Sequence, residues 1–490
     1  MPTLKTVTLG CKVNQYETQY AREGFLRLGY REAVNGETAD LILVNSCTVT
    51  AESEAKTRKI IRRLAKNNPR AEIIVMGCYA TRAPDAAASL PGVSEVIRDK
   101  RELPDLLARR GLEDIPNGIS NFEGRHRAWV KIQDGCREGC SYCIIPLVRP
   151  VLVSRAADEV LDEIRRLTKA GFAEIVLTGI HLGHYGADSG QATQILLSPG
   201  TDRRLVGRGA GGEGFNACKQ NNALTLTLSQ RERGLNASSQ RERGLKEHVS
   251  GNALADLLRR IVALEGEFRV RLSSIEAAEV TPKLLDVMAE HPLRICPHLH
   301  IPMQSGSDAI LKRMRRRWSV RQFIDRCEEI RGRLDQPALT TDVIVGFPGE
   351  TDEDFAATCR AAEEVGFSKI HVFRFSPRQG TEAASMPNRI PQRIHQQRAC
   401  VLAGIGDRLA EQYLESLQGK TVQVLVEGAL PNLPETLLGT IDRYLNVQIP
   451  GKIEQIGRLI DYKISPDVKK DNPHIPLDKR RKNKDNYPQI

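Results

Sequence analysis

Three cysteines crowd the run Asp134-Gly135-Cys136-Arg137-Glu138-Gly139-Cys140-Ser141-Tyr142-Cys143-Ile144-Ile145-Pro146, spaced Cys-x3-Cys-x2-Cys. Three thiolates on one short loop can grip three corners of a cubic iron–sulfur cluster. The fourth iron is then left without a protein ligand. An open iron binds a small molecule and passes it an electron, so the motif points to a redox enzyme rather than a scaffold.

A second set is spread along the chain. Cys11, Cys47 and Cys78 each close a short apolar run, in Leu9-Gly10-Cys11, Asn45-Ser46-Cys47 and Met76-Gly77-Cys78. If those runs are parallel strands they end on one edge of a sheet, where such folds bind ligands. A small residue before each cysteine lets backbone approach a bulky group. One such cysteine alone reads as a buried small hydrophobe. Three in the same topological place favour a second three-thiolate cluster. Zinc is the rival, but a structural zinc site normally takes a fourth Cys or His. The chain has 11 cysteines, an odd number. The start, Met1-Pro2-Thr3-Leu4-Lys5, shows no signal-peptide pattern. No apolar run reaches the roughly 18 residues needed to cross a bilayer. A cytosolic, and so cytoplasmic, chain without disulfides is expected.

The elements that position these cysteines are α/β in pattern. In residues 1–115, strand-like runs at 6–9, 41–44 and 73–76 and a basic helix at 52–66 predict a parallel sheet covered by helices. Residues 115–125 read as a polar linker. Within 126–400, strands at 129–132, 174–177, 268–272, 299–302, 342–345 and 370–373 alternate with helices, predicting an incomplete (β/α)6 barrel. Polar residues follow each strand, and the cysteine triplet follows the first, at the end where barrels build active sites. Gly179, Ser274, Glu276 and Gln304 lie at strand ends where a bound cofactor is met. Residues 189–251 interrupt the series. They hold a duplicated unit, Ser229-Gln230-Arg231-Glu232-Arg233-Gly234-Leu235 and Ser239-Gln240-Arg241-Glu242-Arg243-Gly244-Leu245, which is too polar to build a core and is expected to be disordered. Alternating runs at 421–428, 439–444, 445–450 and 457–464 predict a small all-β barrel at 417–465 of the kind that binds oligonucleotides. A basic tail at 466–490 is expected to be disordered.

Net charge is +10 in 490 residues, with a pI near 9.1. That balance favours a polyanion such as nucleic acid. Two basic runs, Lys56-Arg58-Lys59-Arg62-Arg63 and Lys312-Arg313-Arg315-Arg316-Arg317, read either as solvated helix faces or as phosphate contacts. His181 and His184 follow the second barrel strand and read as hydrogen-bonded structural residues.

The triplet resembles the cluster motif of radical S-adenosylmethionine enzymes. Cys11-Lys12-Val13-Asn14-Gln15-Tyr16-Glu17-Thr18, Asn45-Ser46-Cys47-Thr48-Val49-Thr50 and Gly77-Cys78-Tyr79-Ala80 resemble the N-terminal domain of methylthiotransferases. His300-Ile301-Pro302-Met303-Gln304-Ser305-Gly306-Ser307 and Asp342-Val343-Ile344-Val345-Gly346-Phe347-Pro348-Gly349-Glu350-Thr351 resemble that family's later barrel motifs, and the last domain resembles the RNA-binding TRAM module. Around Cys11 and Cys47 the residues are similar to the branch acting on N6-threonylcarbamoyladenosine beside the tRNA anticodon. The branches for isopentenyladenosine and for a ribosomal-protein aspartate remain alternatives, as does a non-catalytic metal-containing RNA-binding protein. The Asp-x-His-x-x-Gly signature of cobalamin-binding relatives is absent from the sequence. Pro150 departs from the family, which has Gly after the residue equivalent to Arg149.

The resemblance implies two [4Fe-4S] clusters, one on Cys136, Cys140 and Cys143 and one on Cys11, Cys47 and Cys78, together with S-adenosylmethionine. It implies that Tyr142 packs on the cofactor's adenine, with ordinary packing as the alternative, and that Gly179, Ser274, Glu276 and Gln304 meet its ribose or methionine. It further implies a tRNA anticodon stem-loop as partner, an electron donor such as a flavodoxin or ferredoxin, and no membrane.

Overall fold

The computed structural model describes residues 1–122, 124–188, 252–430 and 433–465. The interruption at 189–251, with Cys218, and the tail at 466–490 lie outside the described residues.

The N-terminal sheet has five strands, β1 (Thr3–Thr8), β2 (Arg31–Glu32), β3 (Leu41–Ser46), β4 (Glu72–Gly77) and β5 (Val93–Val96). All pairs are parallel and the order is β2-β1-β3-β4-β5. β3 is buried along its whole length, as a central parallel strand must be, and so reads as an unbroken apolar run. Alternate residues feed opposite faces: Ile42, Val44, Ile73 and Val75 pack on helix α2 (Ala51–Asn67) through Ile61 and Leu64. Leu41, Leu43, Ile74 and Met76 pack with Phe25 of the other face. Thr50 and Ser53 form a capping box at the start of α2, which fixes where the chain turns after Cys47. The basic residues Lys56, Lys59, Arg62 and Arg63 are exposed on α2, and Arg58 is half-buried.

Eight further strands build the middle of the chain: β6 (Arg127–Lys131), β7 (Gln133–Asp134), β8 (Val153–Ser154), β9 (Glu174–Thr178), β10 (Arg269–Leu272), β11 (His298–His300), β12 (Ala338–Val345) and β13 (Lys369–Arg374). They form parallel three-stranded sheets β10-β9-β6 and β11-β12-β13, and the antiparallel pair β7-β8. Single parallel bridges, Val270 to Ile295 and Ser274 to His300, join the two larger sheets between β10 and β11. Six parallel strands therefore run side by side in chain order, with a weak seam at the centre.

The C-terminal unit is a four-stranded antiparallel sheet rather than a closed barrel. Its strands are β14 (Thr421–Leu430), β15 (Leu433–Ile441), β16 (Asn446–Pro450) and β17 (Leu459–Lys463), in the order β16-β15-β14-β17. The outer strands β16 and β17 do not pair among the described residues. The expected strand at 439–444 is the end of a longer one, because 442–445 form the turn that leads into β16.

The three units are fastened together. Residues 115–125 are not a free linker: Ile119 and Phe122 are buried in the central core. The Glu23 carboxylate accepts from the Ser120 and Asn121 amides at 2.9 and 3.0 Å. At the strands' N-terminal ends, Arg269 and Arg271 of β10 pair with Glu174 of β9. The same guanidiniums donate to the carbonyls of Gln423 and Thr440 (Arg269) and of Asp442 and Ile441 (Arg271), at 2.7 to 3.1 Å. Tyr444, in the left-handed region at φ +62°, stacks near Arg271, 5.0 Å from its ring centre. The C-terminal sheet thus seals that end of the six strands. The N-terminal unit lies across the other end. It is tied to β6 through Glu17 and Lys131 (3.1 Å), and to the chain after β13 through Thr48 and Arg378 (2.9 Å).

Candidate functional site

The loop with the cysteine triplet is clamped at its base by β7 and β8, which pair Gln133 with Ser154 and Asp134 with Val153. Gly135, at φ +82°, touches the returning chain so closely that a Cβ would sit 1.9 Å from the Val151 carbonyl oxygen, so only glycine fits. The loop is further held by Ser141, whose amide and hydroxyl donate to the carbonyls of Met314 (3.1 Å) and Arg313 (2.8 Å). The Cys143 amide donates to the Cys140 carbonyl at 3.1 Å. Pro150 is accommodated: it is exposed, and Arg149 before it sits at φ −144°, ψ 62°, outside the α region that a following proline disfavours.

The three thiols of this loop act on one another. Burial pushes Cys143 up to about 12, and the charges of Cys140 and Cys136 add to the rise. Burial also raises Cys140, with Arg316 opposing and Cys136 adding. All three are free cysteines. Thiols whose pKa is raised, as at Cys140 and Cys143, are poor as bare thiolates and suited to a cationic metal cluster, which stabilises the deprotonated form.

Around them Arg316 gathers two of the residues expected at the cofactor. Its Nη1 donates to Cys140 Sγ at 3.5 Å and to Tyr142 Oη at 3.4 Å, and its Nη2 to Glu276 Oε2 at 2.5 Å. The guanidinium lies 4.0 Å from the Trp318 ring centre. Arg316 belongs to the basic run read as a solvated or phosphate-facing helix. The helix ends at Arg313, Arg316 turns inward, and Arg315 and Arg317 pair with Glu382 and Glu138. The Tyr142 ring packs beside Ile310, Met314 and Phe347. Gly179 lies against Gln133, 3.0 Å from where a Cβ would be. Gln133 in turn donates to the Asp134 and Gly135 carbonyls at 2.8 Å, so Gly179 supports the base of the loop. Ser274 is exposed at the seam between the two sheets. Gln304 is buried in the left-handed region at φ +66°, a strained position for a non-glycine residue. His181 touches Cys136 Sγ at 3.6 Å through Nδ1 and Glu279 at 2.7 Å through Nε2, and stacks on His184 at 3.7 Å. Burial opposes its charge, yet Glu279 and Cys136 hold its pKa well above the usual imidazole value.

Each cysteine of the second set stands at the C-terminal end of a strand of the first sheet or just beyond it. Cys11 precedes α1 (Lys12–Arg27), Cys47 follows β3, and Cys78 opens α3 (Cys78–Arg82) after β4. A Cβ on Gly10 would lie 3.2 Å from Cys47 Sγ. Gly77, at φ +95°, is packed against Ser46 and Asn45 with no room for a Cβ. Burial pushes Cys11 up to about 11, with Arg149 opposing and Cys78 and Cys47 adding. Asn14, one turn along α1, donates through Nδ2 to the Leu9 and Ser46 carbonyls at 2.9 and 3.1 Å, stitching two of the cysteine-bearing corners together.

The sequence singled out the six cysteines but gave no role to Arg149, Asn14 or Glu17, and marked Arg316 only as one of a basic run. Asn14 and Glu17 carried a signal: in a helix starting after Cys11, Asn14 stands three residues on, and Glu17 neighbours Asn14 three residues further. Arg316 carried none, because a charge run looks the same whether or not one member turns inward.

Residues 3–98 match the family described as Uncharacterized protein family UPF0004, and residues 247–362 match the Radical SAM superfamily. The threonylcarbamoyladenosine tRNA methylthiotransferase MtaB of Bacillus subtilis (strain 168) is 34% identical over 483 residues, covering 95% of this chain and 94% of that one. The protein of the same name from Thermotoga maritima is 34% identical over 441 residues, covering 87% of each chain. A tRNA-2-methylthio-N(6)-dimethylallyladenosine synthase of Corynebacterium urealyticum is 32% identical over 444 residues, covering 87% of this chain and 72% of that one.

Proposed function

The chain belongs to the radical S-adenosylmethionine tRNA methylthiotransferases, and from that membership we propose that it converts N6-threonylcarbamoyladenosine beside the tRNA anticodon to its 2-methylthio derivative. The relatives named for threonylcarbamoyladenosine match at 34–35% and are covered over 87–94% of their length. Those named for dimethylallyladenosine match at 30–32% and are covered over 72–76%. That difference supports the first substrate.

Membership implies S-adenosylmethionine and a [4Fe-4S] cluster, for which Cys136, Cys140 and Cys143 are the thiolates. A second [4Fe-4S] cluster is assigned to Cys11, Cys47 and Cys78. When bound, these groups supply a 5′-deoxyadenosyl radical able to take hydrogen from adenine carbon 2, and the sulfur that replaces it and is methylated. The observation that supports the reading is that Arg149 touches Cys78 of one trio with its side chain and Cys136 of the other with its main chain, so that members of both sets meet.

The protein's own part is aim and exclusion of water. Carbon 2 of adenine bears a hydrogen that ordinary side-chain bases cannot remove, so neither a carboxylate pair nor a Ser/His/Asp group is required. The N-terminal unit, clamped through Glu17 and Thr48, covers the end where the trios lie, and the C-terminal sheet seals the other. Arg316, held by Glu276 and Trp318, presents a fixed positive charge beside Cys140, where it favours the thiolate and can receive a carboxylate of the bound cofactor. The C-terminal sheet, TRAM-like in sequence, is assigned as a contact for the anticodon stem-loop. The overall positive charge favours that encounter.

Mass spectrometry of tRNA nucleosides tests the substrate. Cells lacking this gene should accumulate N6-threonylcarbamoyladenosine and lose its 2-methylthio form, and the intact gene should restore it. An unchanged level of the 2-methylthio form would overturn the substrate.

A further inference from the structure

We propose that Arg149 is a positioning residue that locks the two cysteine trios to one another, touching one through its side chain and the other through its main chain. The inference rests on the reading of both trios as cluster ligands. Nε of Arg149 donates to Cys78 Sγ at 3.5 Å. Nη2 donates to Asn14 Oδ1 at 3.0 Å and Glu17 Oε2 at 2.9 Å. Asn14 is the residue that ties the backbone beside Cys11 to the backbone beside Cys47. One guanidinium thus reaches all three corners of the N-terminal trio, one directly and two through Asn14.

The other tethers belong to the triplet loop. Nη1 donates to Asp134 Oδ1 at 2.8 Å and also to Glu17 Oε1 at 2.8 Å, and Asp134 stands two residues before Cys136. The Arg149 carbonyl accepts from the Cys136 amide at 3.0 Å. The side chain is 2% exposed, so these bonds are made away from water. Lys131 completes the group, 3.1 Å from Glu17 and 3.0 Å from Asp134. Two cations and two carboxylates therefore balance, drawn from both units. Lys100 adds a further positive charge nearby, donating to the Val148 carbonyl at 3.2 Å.

An ion pair that merely docked two domains would have no need to touch sulfur. Arg149 uses every edge of a planar fork, one of them on a thiol, and a lysine with its single point of charge cannot reproduce that set. Groups of this kind that brace metal ligands typically govern affinity or activity by about 10- to 100-fold. With both clusters in place, the spacing and orientation between them depend on this one side chain.

The test uses the full chain, reconstituted without oxygen, as wild type, Arg149→Lys and Glu17→Gln. Three readings are taken: 5′-deoxyadenosine released per methylthiolated adenosine, magnetic coupling between the two reduced clusters by electron paramagnetic resonance, and hydrogen–deuterium exchange of the metal-free protein. Arg149→Lys should raise the ratio by about 10-fold or more and alter the coupling. Residues 12–18 and 134–152 should exchange faster even without metal. Glu17→Gln, which keeps the contact with Cys78, should move all three the same way by less. A wild-type ratio with wild-type coupling in Arg149→Lys overturns the proposal. So does a loss of both products in proportion to lost iron, which marks a folding role. If Arg149→Lys does not fold, Glu17→Gln decides: wild-type exchange and ratio in that variant also overturn it. Should wild type cleave S-adenosylmethionine but leave threonylcarbamoyladenosine untouched, the substrate reading fails, while the coupling and exchange readings still judge Arg149.

Discussion

Three of the six thiols sit beside a different basic side chain: Cys78 beside Arg149, Cys140 beside Arg316, and Cys136 beside His181. The division of labour between the trios makes a prediction at this scale. Cys140→Ala should abolish reductive cleavage of S-adenosylmethionine, read as 5′-deoxyadenosine by liquid chromatography. Cys47→Ala should still release 5′-deoxyadenosine but form no methylthio product. Normal thiolation by Cys47→Ala would contradict two separate roles. The cysteines were legible because a reactive residue type recurs in a pattern, one set by spacing and one by strand ends. The residues that brace them were not, because an arginine is common and its partner is set by the fold. Arg149 meets Glu17 across 132 positions of sequence.

Among the elements, the junction between β9, β10 and the C-terminal sheet holds a cluster of buried charge. Glu174 lies among Arg271, Arg269 and Arg127, fully buried. Burial opposes its charge, but the three guanidiniums hold its pKa well below the carboxylate range. A carboxylate with a lowered folded pKa contributes its full stability above the unfolded value near 4.3, and loses it only as pH falls through the lower folded value. Glu174→Gln leaves the arginines uncompensated and should cost about 3–5 kcal/mol, measured by denaturant unfolding at pH 7. Exchange at 440–444 should accelerate, and the gap to wild type should close at strongly acid pH. A loss under about 1 kcal/mol would mean that the junction does not depend on the pair. The strands themselves were readable, since buried parallel strands are short unbroken apolar runs. The edge strands β2 and β5 and the first half of β15 were not, being polar or proline-bearing. The segment at 115–125 misled for the same reason as the arginines: Glu23, which holds its amides, lies 97 positions away.

Taken whole, the molecule is a six-stranded parallel core closed at both ends by units the chain adds before and after it. The first unit covers the end with the thiols, and the last seals the end with Glu174. The described residues on either side of 189–251 lie close together, for a Cβ on Gly186 would come within 2.5 Å of that of Ala253. Replacing 189–251 by a short glycine-rich turn should therefore preserve the fold. The expected change in thermal midpoint is within about 4 °C, and S-adenosylmethionine cleavage should match the full chain. Collapse of either would show that 189–251 supports the core. Among the described residues no helix is long and apolar enough to cross a membrane. Iron and sulfide analysis with Mössbauer spectroscopy of oxygen-free protein tests the central claim most directly. About eight irons per chain in two [4Fe-4S] sets are expected, with four lost when Cys11, Cys47 and Cys78 are replaced together. Zinc, or a single set that survives that replacement, would contradict it.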